Sequence, residues 1–485
     1  MSKSRASARR APGVNAPPGN WAPGTERIVV GALALAAIAV RYYAVSFHPL
    51  VAWDGAYYIN YFRDASWRWI FPPGYPLAIE FFRFFISDSV LAAQFASAFF
   101  GGLLVVPLYV VAREFLDSRA ALGATILAVF NPLMIRYGAM AMSEAQFIFF
   151  AVSAFAFYRR RQHLLFGTAC GIAYLTRPEA LLIFGLVVVV DFVRHRDLTF
   201  FGLATAGLLL FALPYIISLR VETGTWSLSP KSGNLRVWDV DWRANLAREG
   251  LHPAAPPAPI SAVLTTAIAG YPEKFLSNAG NLLTFAGVPF LLAALYGIGR
   301  HRNILLAGLG MFFLLPFFGL NPFSRFVLPY VPFLAVFAVL ALRHIARPEL
   351  FYLGLLVCLL GMLPTLSEIK KQDDDMLELK AAALAIQPLV TPGDIFLDRK
   401  PYTAFYANGR YTQIPNEPVD TILAFAKRAN ARFLVLGERV VYVFRPQLKA
   451  LLYGTDSAIG AKGLTTIYVD ALQTGKGVRI LEINK

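Results

Sequence analysis

The chain has 485 residues, of which 57% are hydrophobic and only 15% charged, with a mean hydropathy of +0.53. That is too apolar for a water-soluble globule, and it reads as a mainly α-helical, polytopic membrane protein. The formal charge of +15 does not point to nucleic acid. Many Lys and Arg fall in short clusters between apolar runs, and no basic face with interleaved aromatics is present. Cys170 and Cys358 lie inside apolar runs, as small core residues rather than a disulfide or metal pair.

Residues 1–27 form a basic head with Lys3, Arg5, Arg9 and Arg10, then repeated Pro, Gly and Asn, a composition that predicts disorder. The next run, Ile28 to Phe47, is long and is closed by no small-residue cleavage site, so it is expected as a retained membrane helix rather than a secretory signal. A helix needs about 20 apolar residues to cross a bilayer. The basic head sets this one to start in the cytoplasm, so Asp54, in His48-Pro49-Leu50-Val51-Ala52-Trp53-Asp54-Gly55, emerges outside. Up to Asp88 the sequence is aromatic and broken by Phe71-Pro72-Pro73-Gly74-Tyr75-Pro76, which suits an outer loop (48–89) of short interfacial helices.

Flanking charges then orient the apolar runs. Val90 to Ala112 leads inward to Arg113 and Arg119, Ala121 to Tyr137 leads out, and Met142 to Tyr158 returns to Arg159-Arg160-Arg161. Leu164 to Val193 is interrupted by Thr176-Arg177-Pro178-Glu179; two short helices in a hairpin keep Arg194 and Arg196 inside, where a single span would not. Phe200 to Leu219 leads out, Leu282 to Ile298 returns, Ile304 to Leu320 leads out, Val327 to Leu342 returns, and Leu350 to Leu366 leads out. The expected topology is about eleven spans, with the N-terminus inside and the C-terminus outside.

Two further parts are expected outside. The loop at 220–279 carries Lys231 and a Trp/Asp-rich patch from Trp238 to Trp242. The tail, 367–485, changes composition: Met376 to Leu389 is amphipathic, Asp394 to Leu397 and Arg432 to Leu436 read as buried strands, and Val419 to Asn430 as a helix between them. This predicts a small α/β domain, leaving 28–366 as the membrane part.

Several residues in these outer positions can carry chemistry. A carboxylate at the bilayer surface, Asp54, can act as a general base on a hydroxyl or amine, or simply cap a helix end. Glu144 opens another helix on the same side, where Ser143 could cap and Glu144 complement the helix dipole. Two such acids could hold an acceptor between them or share a divalent cation, although no His/Asp/Glu cluster builds a metal site into the sequence. Arg177 and Glu179 sit in an apolar hairpin, facing a cavity or one another. Arg325, in Asn321-Pro322-Phe323-Ser324-Arg325-Phe326, is either a phosphate contact or an interfacial anchor, and Lys231 is a weaker candidate of the same kind.

Taken in order, Asp54-Gly55-Ala56-Tyr57-Tyr58, Pro72-Pro73-Gly74-Tyr75-Pro76, Ser143-Glu144, Leu175-Thr176-Arg177-Pro178-Glu179 and Ser324-Arg325-Phe326 resemble the GT-C class of polytopic glycosyltransferases, and within it the protein O-mannosyltransferase and lipid A aminoarabinose transferase family. The resemblance spans Ile28 to Leu366. It implies transfer of a sugar from a polyprenyl-phosphate carrier to a protein, lipid or glycan on the outer side of the plasma membrane, usually with inversion at the anomeric carbon. Asp54 would be the base, Glu144 the second acid, Arg325 and Lys231 contacts to the carrier phosphate, and Arg177, Glu179, Tyr57 and Tyr58 supports of the cavity. The family often has two adjacent acids in the first loop, whereas Gly55 follows Asp54 here. A secondary transporter or lipid flippase, with Arg177 and Glu179 on the substrate path, is the alternative.

Overall fold

The first apolar run folds as α1 (Pro23–Val45), in a computed structural model that describes residues 21–63, 67–68, 71–224, 226–229, 260–301, 324–345, 348–372 and 376–484. The basic head up to residue 20, Lys231, the Trp238 to Trp242 patch and the run Ile304 to Leu320 lie outside the described residues. Pro23 opens α1, where a missing N–H costs nothing. Among the described residues, four helical stretches are long and apolar enough to cross a membrane: Pro23–Val45, Ser89–Arg113, Leu198–Thr223 and Arg325–Ile345. Two bent pairs raise that number to six by length and composition.

Short helices follow α1 in the loop at 48–89, α2 (Trp53–Asn60) and α3 (Gly74–Arg83). The run from Val90 is α4 (Ser89–Leu103) continuing into α5 (Val105–Arg113), and the Asp88 carboxylate caps it by accepting from Val90 and Leu91 N–H. Ala121 to Tyr137 is not the single helix expected. It splits into α6 (Ser118–Val129) and α7 (Pro132–Tyr137), because Asn131 leaves the helix to cap α7, its side chain accepting from Leu133 N–H, and Pro132 starts the new turn. Asn131 is fixed in that place by donating to the Phe285 carbonyl at 2.9 Å.

α8 (Glu144–Arg159) leads into two helices that break where the Thr176-Arg177-Pro178-Glu179 motif falls, α9 (His163–Thr176) and α10 (Ala180–His195), and then α11 (Leu198–Thr223). Asp191 near the end of α10 meets Tyr158 and Arg161 from the end of α8, while Arg177 at the far end of α9 meets Glu144 at the start of α8. The two helices therefore turn back on each other as a hairpin.

The run Leu282 to Ile298 departs from expectation. Helix Ile260–Ala286 stops, and helix Val288–Arg300 leaves it at 114°. Gly287 makes the corner with φ of 76°, a conformation that disfavours a side chain, and a Cβ there would come within 2.5 Å of the Gly361 carbonyl oxygen. The last apolar run is likewise bent, by 42°, between its α-helix and a 3₁₀ stretch, Leu363–Lys370.

The tail begins with helix Leu377–Ile386 and builds a five-stranded sheet of order β2-β1-β3-β5-β4. The strands are β1 (Ile395–Asp398), β2 (Arg410–Gln413), β3 (Ala431–Gly437), β4 (Leu464–Asp470) and β5 (Val478–Ile483). β1 runs parallel to β2 and β3, whereas β5 is antiparallel to β3 and β4. The predicted strands are β1 and β3, two of the three interior strands, the predicted helix is Val419–Arg428, and the third interior strand, β5, lies outside that prediction. β2 and β4 escape a reading based on apolar runs because they are edge strands with much of their surface exposed.

One face of the sheet has a core within the tail, where Leu397, Leu434, Leu436 and Leu481 pack with Ile422 and Leu451, and the other face shares its core. One apolar cluster joins Tyr57, Trp67, Phe71 and Tyr75 of the loop at 48–89 to Leu379, Phe396, Tyr411 and Phe433 of the tail. Burial of this continuous surface, at roughly 25 cal/mol per Å², makes the first loop and the tail domain one packed unit.

Candidate active site at the Asp54–Arg325 pair

Asp54 lies in the first turn of α2, where the helix dipole favours a negative charge. Its Oδ2 accepts from Arg325 Nη1 at 2.7 Å, and both side chains stay partly open, at 20% and 25% exposure. Arg325 belongs to the 3₁₀ segment Ser324–Tyr330 that leads into helix Val331–Ile345. The pair of readings left for Arg325 thus meets a third outcome: its guanidinium holds the proposed base.

Gly55 explains the missing second acid. A Cβ at this position would fall 2.8 Å from the Ala141 carbonyl oxygen, so α2 is pressed against the chain that leads into Ser143-Glu144. No room exists for a larger residue beside Asp54.

Ser143 does not cap α8 through its side chain, contrary to expectation. Its hydroxyl shares a 3.0 Å hydrogen bond with the buried Tyr58 hydroxyl, tying α2 to the start of α8. Tyr75 reinforces the same turn: its hydroxyl lies 2.7 Å from Ser97 Oγ, which in turn donates to the Met142 carbonyl at 2.9 Å.

Arg177 occupies the extended residue after α9. Its guanidinium donates to Glu144 at 2.8 Å and to Glu179 at 3.3 Å, so the expected pairing of Arg177 with Glu179 extends to Glu144 in one cluster. Glu144 is 3% exposed, and its Oε2 has no partner among the described residues. Such a carboxylate is stable only because Arg177 compensates it.

Tyr57 packs edge-on to Trp67 and to Tyr411 of β2. Burial is the main reason its hydroxyl is pushed up to about 12, so Tyr57 stays a neutral phenol at physiological pH.

No family model matches the sequence, and no curated protein is similar to it. Solved structures are similar in three dimensions. The crystal structure of ArnT from Cupriavidus metallidurans bound to undecaprenyl phosphate aligns with a TM-score of 0.59 at 14% identity, over 95% of this chain and 98% of that one. The oligosaccharyltransferase AglB from Archaeoglobus fulgidus, in complex with an inhibitory peptide and a dolichol-phosphate, aligns with a TM-score of 0.56 at 14% identity, over 94% and 74%. The same archaeal enzyme in complex with Zn and sulfate aligns at 0.55 and 16%, over 84% and 68%. The chain has the GT-C fold.

Within the GT-C frame, Asp54, Glu144, Arg177, Glu179, Tyr58 and Arg325 come together at one end of the bundle. Asp54 and Glu144 each hold an arginine, and among the described residues no group of three His, Cys, Asp or Glu that could hold a metal ion is found. Sequence reasoning overlooked the contribution of the tail. Lys400, 8% exposed, places its ammonium 5.4 Å from the ring centre of Trp53, next to Asp54, and Tyr406 Oη accepts from Val51 N–H at 2.9 Å. The available signal was position, since Arg399 and Lys400 follow the carboxyl end of a parallel strand, where α/β sheets carry their sites.

Proposed function

We propose that the protein is an integral-membrane glycosyltransferase that takes a sugar from a polyprenyl-phosphate carrier and transfers it to a hydroxyl or amine of a protein, lipid or glycan. The observation that carries this reading is the Asp54–Arg325 pair, a base and a cation held together at the surface end of a GT-C bundle. The acceptor oxygen or nitrogen attacks the anomeric carbon and passes its proton to Asp54. The bond from that carbon to the phosphate oxygen breaks, and its electron pair leaves with the polyprenyl phosphate. A single displacement inverts the anomeric centre.

Arg325 links the two halves of the step. A donor phosphate competes with Asp54 for the guanidinium, so donor binding frees the base as it acquires the cation that will stabilise the departing phosphate. The Arg177–Glu144–Glu179 cluster fixes the wall behind Asp54.

The Asp54 end is the outer face of the plasma membrane in this proposal, with about eleven crossings of 28–366 and residues 367–485 outside. Its support is the opposite end of the bundle, where Arg113, Arg159, Arg160, Arg161, Arg194 and Arg196 cluster. A Ser457→Cys variant, exposed on the short helix Asp456–Gly460 of the tail, should react with an impermeant thiol reagent in intact cells, against the low background of two buried cysteines. Reaction only after permeabilisation would reverse the orientation.

The activity is tested with purified protein in lipid and a panel of polyprenyl-phosphate sugars, by following release of polyprenyl phosphate together with labelling of envelope acceptors. Binding of these donors without transfer to any acceptor fraction would overturn the assignment.

A further inference from the structure

At the end of the bundle remote from Asp54, the turns joining α8 to α9 and α10 to α11 enclose an open cleft of about 570 Å³ lined by Arg161, His163, His195 and Asp197. We infer that this cleft binds the phosphate headgroup of an anionic phospholipid of the surrounding membrane. The inference does not depend on the transferase reading.

Both turns are basic, Arg159-Arg160-Arg161 and Arg194-His195-Arg196. Arg161 and Arg196 have φ of 57° and 49°, left-handed conformations that favour glycine, yet arginine stands at both positions.

Beneath the cleft lies Asp191, fully buried. Its Oδ1 accepts from Tyr158 Oη at 2.9 Å and from Arg161 Nη1 at 3.1 Å, and His195 Nε2 stands 3.9 Å away. Asp191 thereby aligns Arg161 and His195 without covering them, since their side chains are 50% and 47% exposed. The other acid at the rim, Asp197, is committed to capping α11, accepting from Phe200 N–H at 3.0 Å. The N-terminus of α9 opens into the same place and has no side-chain cap, so its amide groups are available to an anion. His163 forms part of the wall, its ring edge-on to Phe200 with centroids 5.0 Å apart.

The surroundings select a lipid over a small anion. α11, long and apolar enough to span a membrane, begins directly after Asp197, which sets the cleft at the boundary of the apolar layer. The neighbouring residues on the same helices, Leu164, Leu165, Phe192, Val193, Leu198 and Phe201, are all exposed. A cleft that offers an exposed guanidinium, an exposed imidazole and a helix N-terminus, bordered by uncovered apolar side chains, fits a molecule with a phosphate at one end and acyl chains at the other.

Native mass spectrometry of the full-length protein, released from phosphatidylcholine vesicles with or without phosphatidylglycerol, tests this. Wild type should retain phosphatidylglycerol, Arg161→Gln/His195→Gln should retain it about tenfold less well, and Arg160→Gln, on the same turn but outside the lining, should be unchanged. His195→Gln alone leaves the Arg161–Asp191 pair intact and guards against misfolding; it should show a smaller loss in the same direction. Equal retention by the double variant would overturn the site. So would an equal loss in Arg160→Gln, which would mean diffuse surface charge, or displacement of the lipid by inorganic phosphate alone, which would mean a solute-anion site.

Discussion

Asp54 and Arg325 are separated by 271 positions in the chain and by 2.7 Å in space. The first turn of α2 and the 3₁₀ entry to helix Val331–Ile345 converge there, so the acid is held by the cation proposed to receive the donor phosphate. A carboxylate in this state is engaged, which suits a base released only when substrate arrives.

Replacing either member should therefore have unequal effects on the same reaction. Asp54→Asn should lower the transfer rate by about 10²- to 10⁴-fold with the fold intact. Arg325→Ala should lower turnover and also weaken donor binding, and the double variant should fall well short of the product of the two losses, because the residues act as a unit. Initial rates at varied donor concentration, with thermal unfolding as the fold control, measure both. Independent, multiplicative losses would argue against a shared step.

The buried carboxylate of Glu144 gives a stability test. Arg177→Met leaves Glu144 and Glu179 without their guanidinium and should destabilise by about 3–5 kcal/mol. Adding Glu144→Gln should recover part of that loss without restoring transfer. Thermal melting of the protein in lipid, paired with the transfer assay, separates the two consequences.

Gly55 is limited by contact with the Ala141 backbone. Gly55→Ala should cost about 1–3 kcal/mol through overpacking, and Gly55→Asp should do worse instead of supplying a useful second acid. Denaturation curves rank the variants, and a fully stable Gly55→Asp protein would contradict the tight approach of α2.

Asp398, at the end of β1, provides a pH dependence. Burial is the main cause that pushes its carboxyl up to about 7, above the unfolded value, while bonds from Arg399 N–H and Thr403 Oγ1 oppose the shift. The folded protein then binds the extra proton. Its contribution to stability is complete below about pH 4 and is lost as pH rises through about 7, a change on the order of 4 kcal/mol. Asp398→Asn should flatten this component of the melting profile measured between about pH 5 and 8.

Composition alone made the chain a membrane protein, because no arrangement in water hides so many apolar residues. Flanking charge and the breaks at Pro and Gly placed α1, the α4–α5 stretch, the hairpin at Arg177 and α11, since these depend on local apolar length and on backbone rules. The residues of the candidate site were also visible, as ionisable groups at helix ends where an apolar phase tolerates them only with partners. Tertiary contact decided the rest. Gly287 turns a run of the right length through 114° because another segment's backbone lies against it, and Asn131 breaks a helix to reach Phe285. β2 and β4 are strands because neighbours pair with them, and Lys400 reaches Trp53 because the tail shares its core with the first loop. Which cation holds Asp54 was likewise fixed only by folding, since Coulomb attraction selects among arginines by distance, and distance between remote positions exists only in the folded chain.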